Sequence, residues 1–305
     1  MTYNSAESIG QCLQALITQN CEIVVVDNAS QDDTLAKIEA FRAQYPLEFV
    51  RISRNLGFAA GVNHGVGAAS GDVFLILNPD AIAEPGAVQA LIDCMIAESA
   101  DVAGGALLNS AAEPDRGFAF RRLPTVSSLC CEALLLNQLW PSNPINRRYR
   151  CLDADYSHVQ RVEQPAGACL AVTRQAWEAV GGMDSQFAPV WFEDVDLCKR
   201  LLDSGRKIVY CPGARFHHAG AHSVGKLSFA DKQMFWYGNM LRYARKHFSP
   251  AKVVILRIAI LKGMLLRSLA ALLGMGPKDV TRDEAIAAYR AVGRLTLQSS
   301  ARHAN

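Results

Sequence analysis

No C-x-x-C pair occurs among the nine cysteines of this 305-residue chain, and their number is odd. That pattern argues against a disulfide framework or a structural zinc site, and for reduced, mostly buried thiols in a cytoplasmic protein. No signal peptide is expected, because Met1 is followed at once by Thr2, Tyr3 and Asn4. Internal repeats and low-complexity tracts are absent too. What remains is an ordinary globular composition, half apolar and one-fifth charged.

Acid is scarce at one end. Residues 231–305 hold four Asp and Glu against thirteen Lys and Arg, whereas residues 1–230 hold twenty-five against eighteen. A basic C-terminal quarter suggests an anionic contact, for which a membrane surface is expected and nucleic acid is not. The competing reading is a solvated helical face. The stretch 253–275, "VVILRIAILKGMLLRSLAALLGM", has the length of a membrane span. However, Arg257, Lys262 and Arg267 spread around a helix turning about 100° per residue, which makes a span too costly. An interfacial helix with snorkelling cations and a soluble packing helix both fit.

Across the first two-thirds, apolar runs of strand length alternate with helical patterns, the signature of an α/β protein with a mostly parallel sheet. "EIVVVDN" (22–28), "LEFVRI" (47–52), "VFLIL" (73–77), "GACLAVT" (167–173) and "KIVYCP" (207–212) read as strands. Ser30 and Asp33 fit a capping box opening a helix at 30–41. Helices are also expected near 55–71, 84–96 and 192–205, the last closed by Gly205. Residues 110–160 show no sustained period and read as a loop-rich insert, and from Asp231 onward the pattern is helical.

Candidate chemistry clusters at strand ends. "VVVD" stops at Asp27, and "VFLILNPDA" stops at Asn78, Pro79 and Asp80. Ligands of open α/β sheets bind at the carboxyl ends of strands, although Asp also favours turns. Residues i and i+2 of an extended segment share a side, so Asn78 and Asp80 offer two oxygens to a hard cation or a sugar hydroxyl. A carboxylate holding a divalent ion needs further ligands, and "FHHAGAHS" (216–223) supplies histidines. In "WFEDVDLCKRLL" (191–202), helical spacing puts Asp194 in line with Leu197, Cys198 and Leu201, and Glu193, Asp196 and Arg200 off that stripe. Asp194 is then either a cap or a working base. The glycines of "GFAAGVNHG" do not match G-x-G-x-x-G, which speaks against a nicotinamide enzyme.

In order along the chain, "TYNS", "VVVDNASQDDT", "RNLGFAAGVNHG", "LILNPDA", "GACLAVTRQAWEAVGGMD", "FEDVDLCKR" and "FHHAGAHS" resemble the motifs of family 2 glycosyltransferases of the GT-A fold, in the bacterial rhamnosyltransferase-like branch. The likeness covers residues 2 to about 225. It implies a GT-A domain at 1–228 and does not extend to the C-terminal helices, so the basic helical region at 229–305 rests on charge and periodicity alone. It implies that Thr2, Tyr3, Asn4, Asp27 and Asn28 line the nucleotide, and that Asn55, Gly57 and Asn63 shape the same pocket. "NPD" stands where the family has D-x-D: Asp80 would bind Mg²⁺ or Mn²⁺, with His217 as a second ligand, and Asn78 would sit by the ribose. Asp194 matches the catalytic base and Glu193 the neighbouring acid on the acceptor side.

The implied reaction is inverting transfer of a hexose, L-rhamnose by branch, from a dTDP- or UDP-sugar to a hydroxyl of a cell-surface glycan or lipid-linked acceptor. It implies work on the cytoplasmic side, with peripheral contact at the inner face of the plasma membrane. The chain departs from the family in one respect. The family's central strand runs into T-Y-N, whereas here Met1 abuts Thr2, so the first central strand is expected to be missing. A truncated or non-catalytic sugar-nucleotide binder is therefore the alternative, and a sugar nucleotidyltransferase is disfavoured because no basic glycine-rich loop follows the first strand.

Overall fold

A computed structural model describes residues 1–218, 220 and 225–298. The chain divides into two units, Met1–Leu123 with Arg150–Gly225, and Pro124–Tyr149 with Lys226–Asn305. The boundary expected at 228/229 therefore lies close to the second crossing of the chain, but residues 124–149 group with the C-terminal helices.

In the first unit, α1 (Ile9–Leu16) precedes β1 (Val24–Asn28), whose β-branched run pairs in parallel with β2 (Glu48–Ile52). Between them, α2 (Thr34–Arg42) does not open on the expected capping box. Ser30 Oγ instead accepts the Asn4 N–H at 2.9 Å, and Asp32 accepts the Thr34 N–H at 3.0 Å. The loop side chains are committed elsewhere, and no side chain caps the helix. Next comes α3 (Phe58–Ala68), matching the small-residue helix expected there.

The second sheet comprises β3 (Val73–Leu77), β4 (Ala81–Ala83), β5 (Val102–Leu108), β7 (Gln160–Arg161), β9 (Cys169–Thr173) and β10 (Ile208–His218). Its order is β3-β9-β5-β10-β4, with β7 also paired to β10. β3, β5 and β10 run the same way, as the alternation predicts, while β9 is inserted antiparallel to both β3 and β5. A short pair, β6 (Phe120–Arg121) with β8 (Gln164–Pro165), stands apart. Flanking helices are α4 (Ala87–Glu98), α8 (Arg174–Val180) and α9 (Glu193–Asp203). β5 is fully buried but has no counterpart among the strands expected from sequence, because Gly104 and Gly105 interrupt its apolar run. The gap is required: a Cβ at Gly105 would lie 2.7 Å from the Phe216 ring.

β1 and β3 belong to different sheets. Between them lies a cavity of about 380 Å³ lined by Met1, Val24, Val26, Val62, Leu75 and Ile76, among others. On the edge of β1 away from β2, Thr2 forms a parallel bridge, donating its N–H to Val26 O at 2.7 Å and accepting from the Asn28 N–H at 2.9 Å. This slot is where the missing strand was expected.

One expectation about the cysteines fails. Cys94 of α4 and Cys211 of β10 form a disulfide, so the thiols are not all reduced. Packing of α4 on β10 brings their Cα atoms to 6.3 Å, within bridging range.

The second unit is helical and takes in residues 124–149 of the stretch 110–160 expected to be a loop-rich insert, whose two ends stay largely irregular in the first unit. It contains α5 (Val126–Ala133), α6 (Leu136–Leu139), α7 (Pro144–Tyr149), α10 (Phe229–His247), α11 (Pro250–Leu272) and α12 (Arg282–Gln298). Helices of eight residues or fewer leave too few positions for a period to show, which is why 124–149 carries no sequence signal. Within α11, Arg257 donates to the carbonyls of Thr296 and Leu297 at 3.0 and 3.2 Å, and Arg267 donates to those of Ala133 and Glu132. Both guanidiniums thus satisfy carbonyls at helix C-termini and do not snorkel. Among the described residues, no helix is long and apolar enough to cross a membrane.

Candidate active site

At the end of β3, the Asn78 N–H donates to Ala168 O at 3.0 Å, and the turn through Pro79 delivers Asp80, 6% exposed, to the start of β4. The next residue back along the partner loop, Gly167, donates its N–H to Asp194 Oδ2 at 3.0 Å. Two adjacent backbone residues therefore tie the N-P-D turn and the first turn of α9 to one place.

Asp194 is held on three sides. Gln164 Nε2 donates to its Oδ2 at 3.1 Å, and the Val195 N–H donates to its Oδ1 at 2.8 Å, besides the Gly167 bond. Loss of water around it raises its pKa, opposed by the Gly167 and Val195 hydrogen bonds and by the Arg121 charge. Asp194 as a residue is half-buried, while its carboxylate is enclosed by these partners. Glu193 is 5% exposed, with Oε2 lacking a hydrogen-bond partner. Burial, then the Asp194 charge, pushes its pKa well up, which favours the protonated acid.

The expected stripe is present, with Leu197, Cys198 and Leu201 fully buried. Yet Glu193 and Asp196, placed off the stripe by the spacing, are buried as well. Asp196 owes this to Arg200, whose Nε donates to Asp196 Oδ2 at 2.8 Å while its remaining nitrogens donate to Val180 O and Gly182 O. Trp191 and Phe192, just before α9, both adopt positive φ (77° and 73°). Such left-handed geometry at consecutive bulky residues is stored strain of the kind found at working sites.

The histidines part company. β10 runs on to His218, past a register shift between Cys211 and Arg215, so "FHH" lies on a strand and its two histidines face opposite sides. His217 Nε2 pairs with Glu84 Oε1 at 2.8 Å. Burial opposes charge on Glu84, but the contacts with Arg215 and His217 hold its pKa below the usual carboxylate range. His218 is the one beside the acid: its Nε2 is 3.5 Å from Asp80 Oδ1, both side chains are nearly fully buried, and its ring stacks on Phe118 at 5.1 Å. The expected pairing of Asp80 with His217 is thus replaced by Asp80 with His218, because strand alternation turns His217 to the other face. His222 lies outside the described residues. Among the described residues no three His, Cys, Asp or Glu side chains gather around one point. One carboxylate and one imidazole suit an ion that completes its shell with diphosphate oxygens and water.

The residues expected at the nucleotide mostly brace the loops there. Asp27 is fully buried, accepting from Thr2 Oγ1 at 3.2 Å and from the Ser30 N–H at 3.0 Å. Asn4 Oδ1 accepts the Gln31 N–H at 2.8 Å, and Tyr3 lies beside it, partly buried. Asn28 donates to Asn55 Oδ1 and Gly57 O and accepts the Leu56 N–H. Gly57 has φ +87°, and a Cβ there would meet Pro189 backbone at 3.0 Å. Asn63 closes two bonds with the Met183 backbone, at 2.8 and 3.0 Å, and so acts as a clasp. Gln164, Gly167, Arg121 and His218 belong to the site without having been named for it by sequence. Of these only His218 had a signal, as the neighbour of His217.

Residues 1–150 match the sequence profile of the family described as "Glycosyl transferase family 2". The chain is 30% identical over 253 residues to the N-acetylglucosaminyl-diphospho-decaprenol L-rhamnosyltransferase of Mycobacterium tuberculosis, covering 72% of this chain and 78% of that one. Among solved structures, the mannosyltransferase PcManGT of Pyrobaculum calidifontis, in complex with GDP-Man and Mn²⁺, is 14% identical with a TM-score of 0.56, covering 97% of this chain and 82% of that one. S. aureus TarS 1–349 with UDP-GlcNAc is 16% identical with a TM-score of 0.52, covering 98% and 90%. The last two show the fold, which is the GT-A architecture expected from the motifs. With the ordered motifs, the N-P-D turn and the α9 carboxylates gathered on that fold, the chain belongs to glycosyl transferase family 2 and is a rhamnosyltransferase-like glycosyltransferase.

Proposed function

We propose that this protein is a hexosyltransferase that moves a sugar, L-rhamnose by its resemblance to a rhamnosyltransferase, from a nucleoside-diphosphate donor to a hydroxyl of a glycan or lipid-linked acceptor, with inversion. The observation that carries this reading is the Gly167–Ala168 junction, which fixes Asp194 and Asn78 to adjacent residues. Thr2, Tyr3, Asn4, Asp27 and Asn28 surround the base and ribose of a dTDP or UDP moiety, with Asn55, Gly57 and Asn63 holding the loops that shape the pocket. Asn78 faces the ribose.

Asp194 acts as the general base. Its carboxylate accepts the acceptor's hydroxyl proton as that oxygen attacks the anomeric carbon from the face opposite the leaving diphosphate, and a single displacement inverts the centre. Gln164 and the Gly167 N–H orient it. Glu193, kept protonated by burial, holds the acceptor side. A divalent cation, Mg²⁺ or Mn²⁺, would be held by Asp80 and His218 and would supply charge neutralisation at the leaving diphosphate. A lipid-linked acceptor would place this work at the inner face of the cytoplasmic membrane.

The test combines binding and turnover. One nucleotide among dTDP, UDP and GDP should raise the melting temperature only with Mn²⁺ present, His218→Ala should remove that shift, and His217→Ala should leave it. Asp194→Asn should keep the shift yet lower transfer by about 10²–10⁴-fold, the range of a lost general base. Transfer at the wild-type rate by Asp194→Asn would overturn the assignment.

A further inference from the structure

Helix α11 leaves an apolar face in water. Val254, Ile258, Leu265, Leu269 and Leu272 are 48–61% exposed and follow one another at spacings of four, seven, four and three. That spacing draws a single stripe about 27 Å long at 1.5 Å per residue. The opposite face, with Leu256, Ile260 and Met264, is buried within the same unit. A continuous apolar surface of this length marks an interaction site. Lys262, exposed, borders the stripe, while Lys252, also exposed, stands in the first turn of the helix and off the stripe. The two segments of this unit, 124–149 and 226–305, hold sixteen Lys and Arg against five Asp and Glu. Elsewhere in the unit, α6 exposes Leu139 (80%) and the following residue exposes Trp140 (58%).

We propose that the exposed face of α11 docks on an anionic lipid surface, with the helix axis in the plane of the bilayer. Charge decides the occupant. An apolar stripe with Lys262 on its border, on a strongly basic unit, matches the interior boundary and headgroups of an anionic leaflet, where apolar side chains enter the acyl edge and the unit's cations meet phosphate. The helix lies on the bilayer and does not cross it, since its other face and both of its arginines are committed to α5 and α12. This surface stands independently of the transfer chemistry.

The full chain should sediment with vesicles of phosphatidylglycerol and phosphatidylcholine far more than with phosphatidylcholine alone, and added salt should release it. Leu265→Glu with Leu269→Glu should weaken vesicle binding by at least about tenfold, as charge on the inserting face requires. Lys252→Glu with Lys262→Glu should remove the preference for the anionic lipid. All four positions are exposed, and an unchanged melting temperature would confirm intact folding. Failure of the parent chain to bind anionic vesicles at low salt would overturn the proposal. So would a dimeric mass in solution that the leucine variants convert to a monomer, because a second copy would then cover the face.

Discussion

The slot between β1 and β3 makes a quantitative demand. Thr2 uses the carbonyl of Val26 and the N–H of Asn28. By strand alternation, the N–H of Val26 and the backbone groups of Val24 point into the slot behind it. The free edge of β3 borders the other side. Met1 ends in this apolar surround, and burial lowers the pKa of its amine, which disfavours the charged form. Extending the chain N-terminally by five apolar, β-branched residues would replace that amine by a peptide bond. It would add about five net hydrogen bonds worth about 1 kcal/mol each. Two or three apolar side chains entering the roughly 380 Å³ cavity would contribute about 2 kcal/mol each. Ordering five residues costs about 7 kcal/mol. A net gain of about 3 kcal/mol corresponds to a rise of roughly 6–12 °C in melting temperature for a unit of this size. Differential scanning fluorimetry of the chain, the apolar extension and a Gly-Ser extension of equal length decides the matter. If the apolar extension melts no higher than the Gly-Ser one, the slot is not a strand site and the reasoning fails.

Two further outcomes follow from α9. Arg200→Met removes the ion-pair partner of the fully buried Asp196 and should cost about 3–5 kcal/mol in urea unfolding, whereas adding Asp196→Leu should recover part of the loss. Glu193 carries a raised pKa, so the folded chain binds its proton more tightly than the unfolded chain does. Its effect on stability is therefore neutral below the ordinary Glu range near about 4 and becomes increasingly unfavourable as pH rises towards the folded value. Glu193→Gln should remove that decline, so the variant gains on the parent from acid to neutral pH. A parent–variant difference in urea midpoint that does not change with pH would refute the buried-acid assignment.

Sequence by itself determined a good deal here, because much of the signal is local. A β-branched run ending in Asp27 and an apolar run ending in Asn78-Pro79-Asp80 fix strand ends, since both chemistry and turn propensity reside in adjacent residues. The spacing of Asp194, Leu197, Cys198 and Leu201 fixes a helix and its inward face. What tertiary structure decided depends on phase and on distant neighbours. The register shift between Cys211 and Arg215 resets strand alternation, so only the folded sheet shows that His218, and not His217, meets Asp80. The burial of Glu193 and Asp196 depends on what packs against α9 and on a guanidinium reaching from one turn away to carbonyls of another loop. Gln164 and Gly167 approach Asp194 across about thirty residues of chain, and Cys94 meets Cys211 across 117. No local pattern encodes such meetings, because they arise only when separate elements share one core.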